Sequence, residues 1–408
     1  MAGSRSHYHT VEVPFPEAEY EQRLTRVRDR MDDADLDLLY CTEPESLYYL
    51  TGYRNSWFRS HSPQDWPPIT STVVSRDHEG VLFLEAAEDE YLARSTTSSV
   101  VSHLRLYRRD ENPSGAPFVP HAIEEQGWLG ERVGFEKRSH RPSPAFCERL
   151  EAAFEEAGST VTDATDVVRG ARVEKSNREL AATRTAAGIA DRAMETAVER
   201  IEPGMTELEL KGEIERAMAR EGGEHAGIET YVLAGDRTGQ VHAFASRNVI
   251  NSGDIVLVDF CGVFDRYHAD LARTISVGEP HPAVARRAAK AARAMAEVAD
   301  LVAPGVPLTD VMDVARSHFE EEGIWEHREW VGGYELGIAF PPDWVGAFKF
   351  EDGDDGDRRL QPGTVINFES QVHLPRQAGR FGVIDTIAVE ADGADVLSNL
   401  QHDLFVAE

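Results

Sequence analysis

Two aspartates and a glutamate stand where carboxylates are costly. Asp259 ends the apolar run Ile255-Val256-Leu257-Val258, and Asp270 follows eleven residues later in YHADLART. A carboxylate closing such a run cannot be buried alone, because an ionised group taken out of water is strongly destabilised unless something answers its charge. The answer is a cation, a metal ion or a cage of hydrogen-bond donors. Glu369 completes the set: it lies six residues after Gly363 in LQPGTVINFES, as Asp259 lies six residues after Gly253 in INSGDIVLVDF. His373 has the same strand phase as Glu369 and can reach the same side, although packing is the commoner use of such a residue. Arg380, in RQAGRFGV, suits a bidentate clamp on a substrate carboxylate, with a plain surface role equally open among 37 arginines.

The elements that must position these residues form a duplication. IEPGMTELELKGEIERAMAREGG (201–223) is echoed by VAPGVPLTDVMDVARSHFEEEG (302–323), each with a Pro-Gly turn, a Thr cap, an amphipathic helix and a Gly stop. Each copy leads to a turn, a strand and a carboxylate, after which strands resume as TISV (274–277) and TIAV (386–389). Two α/β halves presenting a carboxylate at the same place imply a pseudo-twofold site between them. Upstream, helical spacing from Tyr20 to Met31 and the strand-like runs LDLLYC, STVVS, GVLFL and VGFE predict an α/β domain over residues 1–168. Ser176 with Glu179 makes a capping box that opens an Ala-rich helix to about Glu199, inside a second domain of residues 169–408.

The segment carrying Asp259 and Asp270 resembles the first metal-binding segment of the pita-bread family, which includes creatinase, aminopeptidase P, prolidase and methionine aminopeptidase. The likeness covers nearly the whole chain. RLTRVRDRMDDADLDLLYCTEPESLYYLTGY is similar to the creatinase-like N-terminal domain, and VRGARVEKSNRELAATRTAAGIADRA to the family's domain junction. The resemblance implies an α/β (α+β) chain: a creatinase-like N-terminal α/β domain followed by a duplicated pita-bread catalytic domain. In that family two Asp, one His and two Glu hold two divalent ions that activate a water. Asp259 and Asp270 match the two Asp, and Glu369 matches the first Glu, which also serves as base. The other positions differ, since VGGYELGIAFPPDW puts Tyr334 at the His and FGVIDTIAV puts Ile384, followed by Asp385, at the last Glu. A phenol is a poor ligand for Mn or Zn, and Ile is none.

Two sites are therefore implied. One is a reduced metal site of Asp259, Asp270 and Glu369, helped by Asp385 and taking Mn, Fe, Co or Zn. The other is metal-free, like creatinase and ectoine hydrolase, whose version of GGYELGIAFPPDW is the more similar, although those enzymes lose the aspartate that is Asp270 here. His242, in AGDRTGQVHAFASRNVINSGD, matches the family's substrate-side histidine; alone among 15 histidines it would be read as surface or core. Imidazoles titrate near ~6.5 and so give and take protons at working pH. Tyr334, Arg380, Trp344 and His373 are the expected substrate contacts, with Pro341 and Pro342 walling the pocket.

The chain has 408 residues, with 72 Asp+Glu against 42 Lys+Arg and a net charge of −30. Phosphates would meet a repelling surface, which excludes nucleic acid and anionic membranes as partners. Only 5 of the basic residues are Lys, a balance that looks salt-adapted. Cys41, Cys147 and Cys261 form no CxxC pair and read as reduced, buried thiols. No stretch approaches the ~18 apolar residues of a membrane span, and a soluble, cytoplasmic protein is expected. The expected function is hydrolysis of an amide or amidine C–N bond in a small-molecule or dipeptide substrate. The alternatives are a metal-dependent lyase resembling the dimethylsulfoniopropionate lyases and a non-catalytic pita-bread binding protein. The resemblance also implies a homodimer, with residues 57–68 as a loop offered to the neighbouring subunit.

Overall fold

The computed structural model describes residues 13–56, 68–110, 115–139, 142–353 and 357–407. The chain divides into two compact units, Met1–Arg172 and Val173–Glu408.

In the first unit the order is α1 (Glu17–Asp33), β1 (Leu38–Cys41), α2 (Pro44–Thr51), β2 (Ser71–Ser75), β3 (Val81–Ala86), α3 (Glu90–Thr96), β4 (Val101–Tyr107), α4 (Phe118–Glu125), β5 (Arg132–Phe135), α5 (Pro144–Glu156), β6 (Thr160–Asp163) and α6 (Thr165–Ala171). The strands form one mixed sheet in the order β4–β3–β2–β1–β5–β6. The central strands β1, β2 and β3 are buried at every residue, which is why they read as apolar runs and not as alternating ones.

The second unit continues with α7 (Asn177–Arg200), α8 (Glu207–Arg220), β7 (Tyr231–Ala234), β8 (Ile255–Phe264), β9 (Tyr267–Val277), α9 (Pro282–Leu301), α10 (Leu308–Glu321), β10 (Arg328–Tyr334), β11 (Lys349–Glu351), β12 (Val365–His373), β13 (Arg380–Glu390), β14 (Gly393–Val396) and β15 (Phe405–Ala407). Its sheet runs β11–β10–β12–β13–β9–β8–β7, with β14 beside β13 and β15 beside β9. The helix expected after Ser176 is α7, and the capping box is formed: Ser176 Oγ accepts the Glu179 N–H, and Glu179 Oε2 accepts the Ser176 N–H. Small residues let α7 lie close to the sheet. At Gly262 on β8 a Cβ would stand 2.1 Å from the Ala186 carbonyl oxygen, so no side chain fits there.

The duplication extends to individual hydrogen bonds. Gly204 and Gly305 donate to Ile250 O and Leu360 O, and Gly253 and Gly363 donate to Val277 O and Val389 O. Both α8 and α10 end in the same Schellman turn: Gly223 N–H reaches Met218 O and Ile324 N–H reaches Phe319 O. The helix starts differ. Thr206 caps α8 with Glu209 in a capping box, whereas α10 begins after Pro307 and Thr309 lies inside its first turn, so the Thr cap exists in the first copy only. Backbone carbonyls take the place of a side-chain cap, with Leu308 N–H donating to Arg358 O and Asp310 N–H to Pro307 O. Among the cysteines Cys41 and Cys261 are buried and free as expected, but Cys147 is only half-buried. No helix among the described residues is long and apolar enough to cross a membrane.

Candidate active site

The two halves join where β9 runs beside β13. Asp259 on β8 stands opposite Ala272 on β9, Glu369 on β12 stands opposite Ile384 on β13, and Ala272 pairs with Ile384 where β9 meets β13. Register partners share a sheet face and alternate residues return to it, so Asp259, Cys261, Asp270, Asn367, Glu369, Gln371 and Ile384 all point to one side. The strand pairing alone brings the three carboxylates together.

A cage of donors surrounds them. Tyr334 Oη donates to Asp270 Oδ2 at 2.7 Å and itself accepts the Trp344 indole N–H at 2.9 Å. Asn367 Nδ2 donates to Asp270 Oδ2 at 2.9 Å and to Glu369 Oε1 at 3.1 Å, while Gln371 Nε2 donates to Glu369 Oε2 at 2.5 Å. Cys261 Sγ approaches Asp270 Oδ1 at 3.7 Å. Burial pushes the Glu369 carboxyl up to about 8, with Asp270 adding to the rise. Burial also raises Asp270, against the pull of the Tyr334 and Asn367 hydrogen bonds. Asp259 is driven well above the usual carboxylate range by burial and by the charges of Asp270 and Glu369. Tyr334 is held neutral by burial and the same negative neighbours.

Arg380 sits at the rim of this cluster. Its side chain is buried, its Nε finds no acceptor among the described residues, and its charge acts on Glu329, Asp259 and Glu369. An unsatisfied buried guanidinium nitrogen is a donor open to water or to a ligand. Beside the cluster lies a cavity of about 680 Å³ whose walls include Glu229, Tyr231, His242, Phe244, Pro341 and Pro342. Tyr231 faces Asp259 across the β7–β8 ladder, and burial, with Asp259 next in effect, pushes its hydroxyl up to about 12. His242 is exposed, adopts a left-handed φ of 61°, and its ring centroid lies 6.4 Å from that of Tyr231. His268 is buried; its Nε2 accepts the Gly227 N–H at 2.8 Å, its Nδ1 meets Arg266 O, and burial lowers its pKa to about 3, so it braces the cavity wall as a neutral ring.

Two of the residues singled out in sequence are not brought to the cluster. His373 shares the phase of Glu369 but lies at the end of β12, where its exposed ring pairs with Glu329 at 2.6 Å. Asp385 is one residue beyond Ile384, and a shift of one along a strand turns the side chain to the opposite face. There it is wholly buried, with Arg273 at 3.0 Å and His402 at 2.6 Å. Residues 57–67 of the expected subunit loop lie outside the described residues. Three participants escaped sequence reasoning: Asn367, Gln371 and Tyr231. The spacing N-F-E-S-Q was a usable signal, because polar side chains at alternate places in an otherwise apolar strand must share one face.

Residues 181–391 match the model of metallopeptidase family M24, and residues 23–173 that of the creatinase/prolidase N-terminal domain. The chain belongs to metallopeptidase family M24. That membership places it among hydrolases. An uncharacterized peptidase of Staphylococcus aureus is 26% identical over 381 residues, covering 93% of this chain and 99% of the relative. An uncharacterized hydrolase/peptidase of Sinorhizobium fredii is 27% identical over 340 residues, 81% of this chain and 83% of its own. The solved Xaa-Pro dipeptidase from Bacillus anthracis superposes with a TM-score of 0.80 at 21% identity, over 95% of this chain and 99% of that one. Dipeptidase PepE from Mycobacterium ulcerans gives 0.78 at 23%, over 96% and 99%. At these identities the solved structures speak for the fold.

M24 peptidases are typically two-metal enzymes, and the residues present in this member do not fit that pair of ions. One expected imidazole is a neutral phenol that donates to Asp270, one expected carboxylate is Ile384, and Asp385 cannot substitute from the opposite face. Among the described residues no three His, Cys, Asp or Glu side chains are arranged as a metal site.

Proposed function

We propose that this M24 hydrolase cleaves an amide or amidine C–N bond in a small polar substrate, using the caged carboxylates and His242 and not the family's pair of ions. The observation that carries the reading is the cage itself: phenol and carboxamide donors occupy Asp270 and Glu369, and the Arg380 Nε finds no partner among the described residues. In this reading the ionised form of Glu369, which gains population as pH rises because burial pushes this carboxyl up, removes a proton from the attacking water as the C–O bond forms. His242 gives a proton to the departing nitrogen as the C–N bond breaks. Arg380 takes a carboxylate of the substrate bidentately, and Asp259, whose protonated form burial favours, hydrogen-bonds the substrate. Tyr334 and Trp344 border the bound molecule.

A metal-dependent Xaa-Pro peptidase is the second reading, favoured by the activity named for the solved Bacillus anthracis neighbour. One comparison separates the two. Turnover of Xaa-Pro dipeptides, ectoine and creatine is measured on chelator-treated protein, with and without added Mn, for the natural chain and Glu369→Gln. The proposal expects chelation to leave activity unchanged and Glu369→Gln to lower it by ~10²–10⁴-fold. Activity that appears only with added metal, or that survives Glu369→Gln, refutes it.

A further inference from the structure

The cluster poses a problem of repulsion. Asp270 comes from the first β-hairpin and Glu369 from the second, and in a low-dielectric site two such charges drive each other apart unless something positive or proton-bearing joins them. We infer that a side-chain ladder on β12, Asn367 and Gln371 with Tyr334, holds these carboxylates together in place of divalent ions and keeps such ions out. Asn367, Glu369 and Gln371 stand two residues apart on one face of the strand. One nitrogen, Asn367 Nδ2, bridges the two hairpins by donating to Asp270 at 2.9 Å and Glu369 at 3.1 Å. The Asn367 amide cannot turn over, because its Oδ1 accepts the Tyr334 backbone N–H at 2.8 Å. Gln371 takes the second oxygen of Glu369 and the Tyr334 hydroxyl takes Asp270 Oδ2, while Trp344 holds that hydroxyl in place.

All four carboxylate oxygens of Asp270 and Glu369 thus face a donor, with Cys261 Sγ nearest the last. A divalent ion must approach carboxylate oxygens at ~2.0–2.2 Å. It would meet N–H and O–H hydrogens already directed at those oxygens, and their positive ends repel it. Tyr334, Asn367 and Gln371 are therefore positioning residues, acting through the carboxylates they hold.

The inference deepens the proposed function and rests on it only in taking this cluster as the reacting centre. Its test uses no substrate, so a failed ladder and a failed turnover assay are told apart. The probe is Mn²⁺ itself, on the full chain, read as bound Mn per chain and as the shift in thermal unfolding midpoint. The natural chain should bind less than ~0.1 Mn at an added concentration where a two-metal site saturates, with its midpoint unmoved by Mn²⁺ or chelator. Gln371→Glu is nearly isosteric and replaces a donor by a carboxylate. It should lower the metal-free midpoint by roughly 3–10 °C, bind Mn²⁺ and recover much of the loss on binding. Gln371→Met, which removes the donor without adding charge, should lose midpoint in the same way and decides the matter if Gln371→Glu does not fold. Stoichiometric, stabilising Mn²⁺ binding by the natural chain would overturn the inference, as would Gln371 variants that keep the natural midpoint and take up no Mn²⁺.

Discussion

Replacing Asp385 by Asn separates a structural carboxylate from a catalytic one. Asp385 is next to Ile384, the place where related enzymes carry a ligand, yet both its oxygens lie at 3.0 and 3.1 Å from the Arg273 guanidinium, with neither side chain exposed. Removing the charge of one partner in a buried pair costs roughly 3–5 kcal/mol, because the other is left unbalanced in a poor solvent for ions. Arg273 also donates to the carbonyls of Gln401, Ala272, Ile384 and Leu400, so its hydrogen bonds persist and the lower half of that range applies. A unit the size of Val173–Glu408 loses ~2–4 °C of unfolding midpoint per kcal/mol, which gives a fall of roughly 6–16 °C. Urea unfolding should show a lower midpoint with an unchanged slope. The double replacement Arg273→Met with Asp385→Leu should recover most of the loss, since a well-packed apolar pair needs no charge balance. Turnover per folded molecule should be retained in both. A stable Asp385→Asn protein that has lost turnover would show that this carboxylate acts at the cluster and would refute the one-residue phase argument.

Other outcomes follow from charge and burial. Glu136 and Glu369 are each pushed by burial from an ordinary 4.5 to about 8. The folded chain then keeps protons that the unfolded chain has already released, so stability should fall as pH rises between about 4.5 and about 8, by up to ~1.4 kcal/mol per pH unit for each such group. Urea midpoints that rise across that window would contradict the assignment. Arg380→Met should raise KM for carboxylate-bearing substrates by ~10-fold or more with a smaller effect on kcat, and should spare uncharged analogues; an equal effect on both would remove the clamp. With a net charge of −30, the unfolding midpoint should climb as KCl is raised from ~0.1 M towards 1 M, where screening shortens to ~3 Å; a midpoint insensitive to salt would refute salt adaptation.

Duplication was the most legible feature because glycine and proline punctuate it. The paired turns at Gly253 and Gly363 need left-handed φ values of 88° and 84°, and that demand keeps glycine visible where side chains have diverged. Helix starts are a weaker signal, since several residue types satisfy one N-terminus. Thr309 resembles Thr206 in sequence, yet the helix beside it opens at Pro307. Runs buried on both faces, such as STVVS and GVLFL, were readable as strands by their length and β-branching, but nothing in them states the order in which they pair. The mixed order of the first sheet is a product of long-range packing that local pattern does not encode.

The carboxylates were legible for the opposite reason: they violate their surroundings. Asp259 ends an apolar run and Glu369 interrupts one, so each announces a local need for compensation. What supplies it is hard to read, because Asn367 and Gln371 are unremarkable residues until the strand phase puts both beside Glu369 and the hairpin register brings Asp270 into reach. Asp385 and His373 show the limits of phase. Asp385 stands one residue from the site position and points away, and His373 has the right phase but lies past the point where the strand still covers the cluster. Face and distance along the strand therefore decide which polar residues join the cluster: of the β12–β13 candidates Glu369, Asn367 and Gln371 pass both tests, while Arg380, opposite His373, serves from the rim, where its charge acts on Asp259 and Glu369. Of the two altered ligand positions only Tyr334 shares a hydrogen with the carboxylates, the rest of the cage coming from Asn367 and Gln371 on β12, and any chemistry at the site must begin from that bonded state.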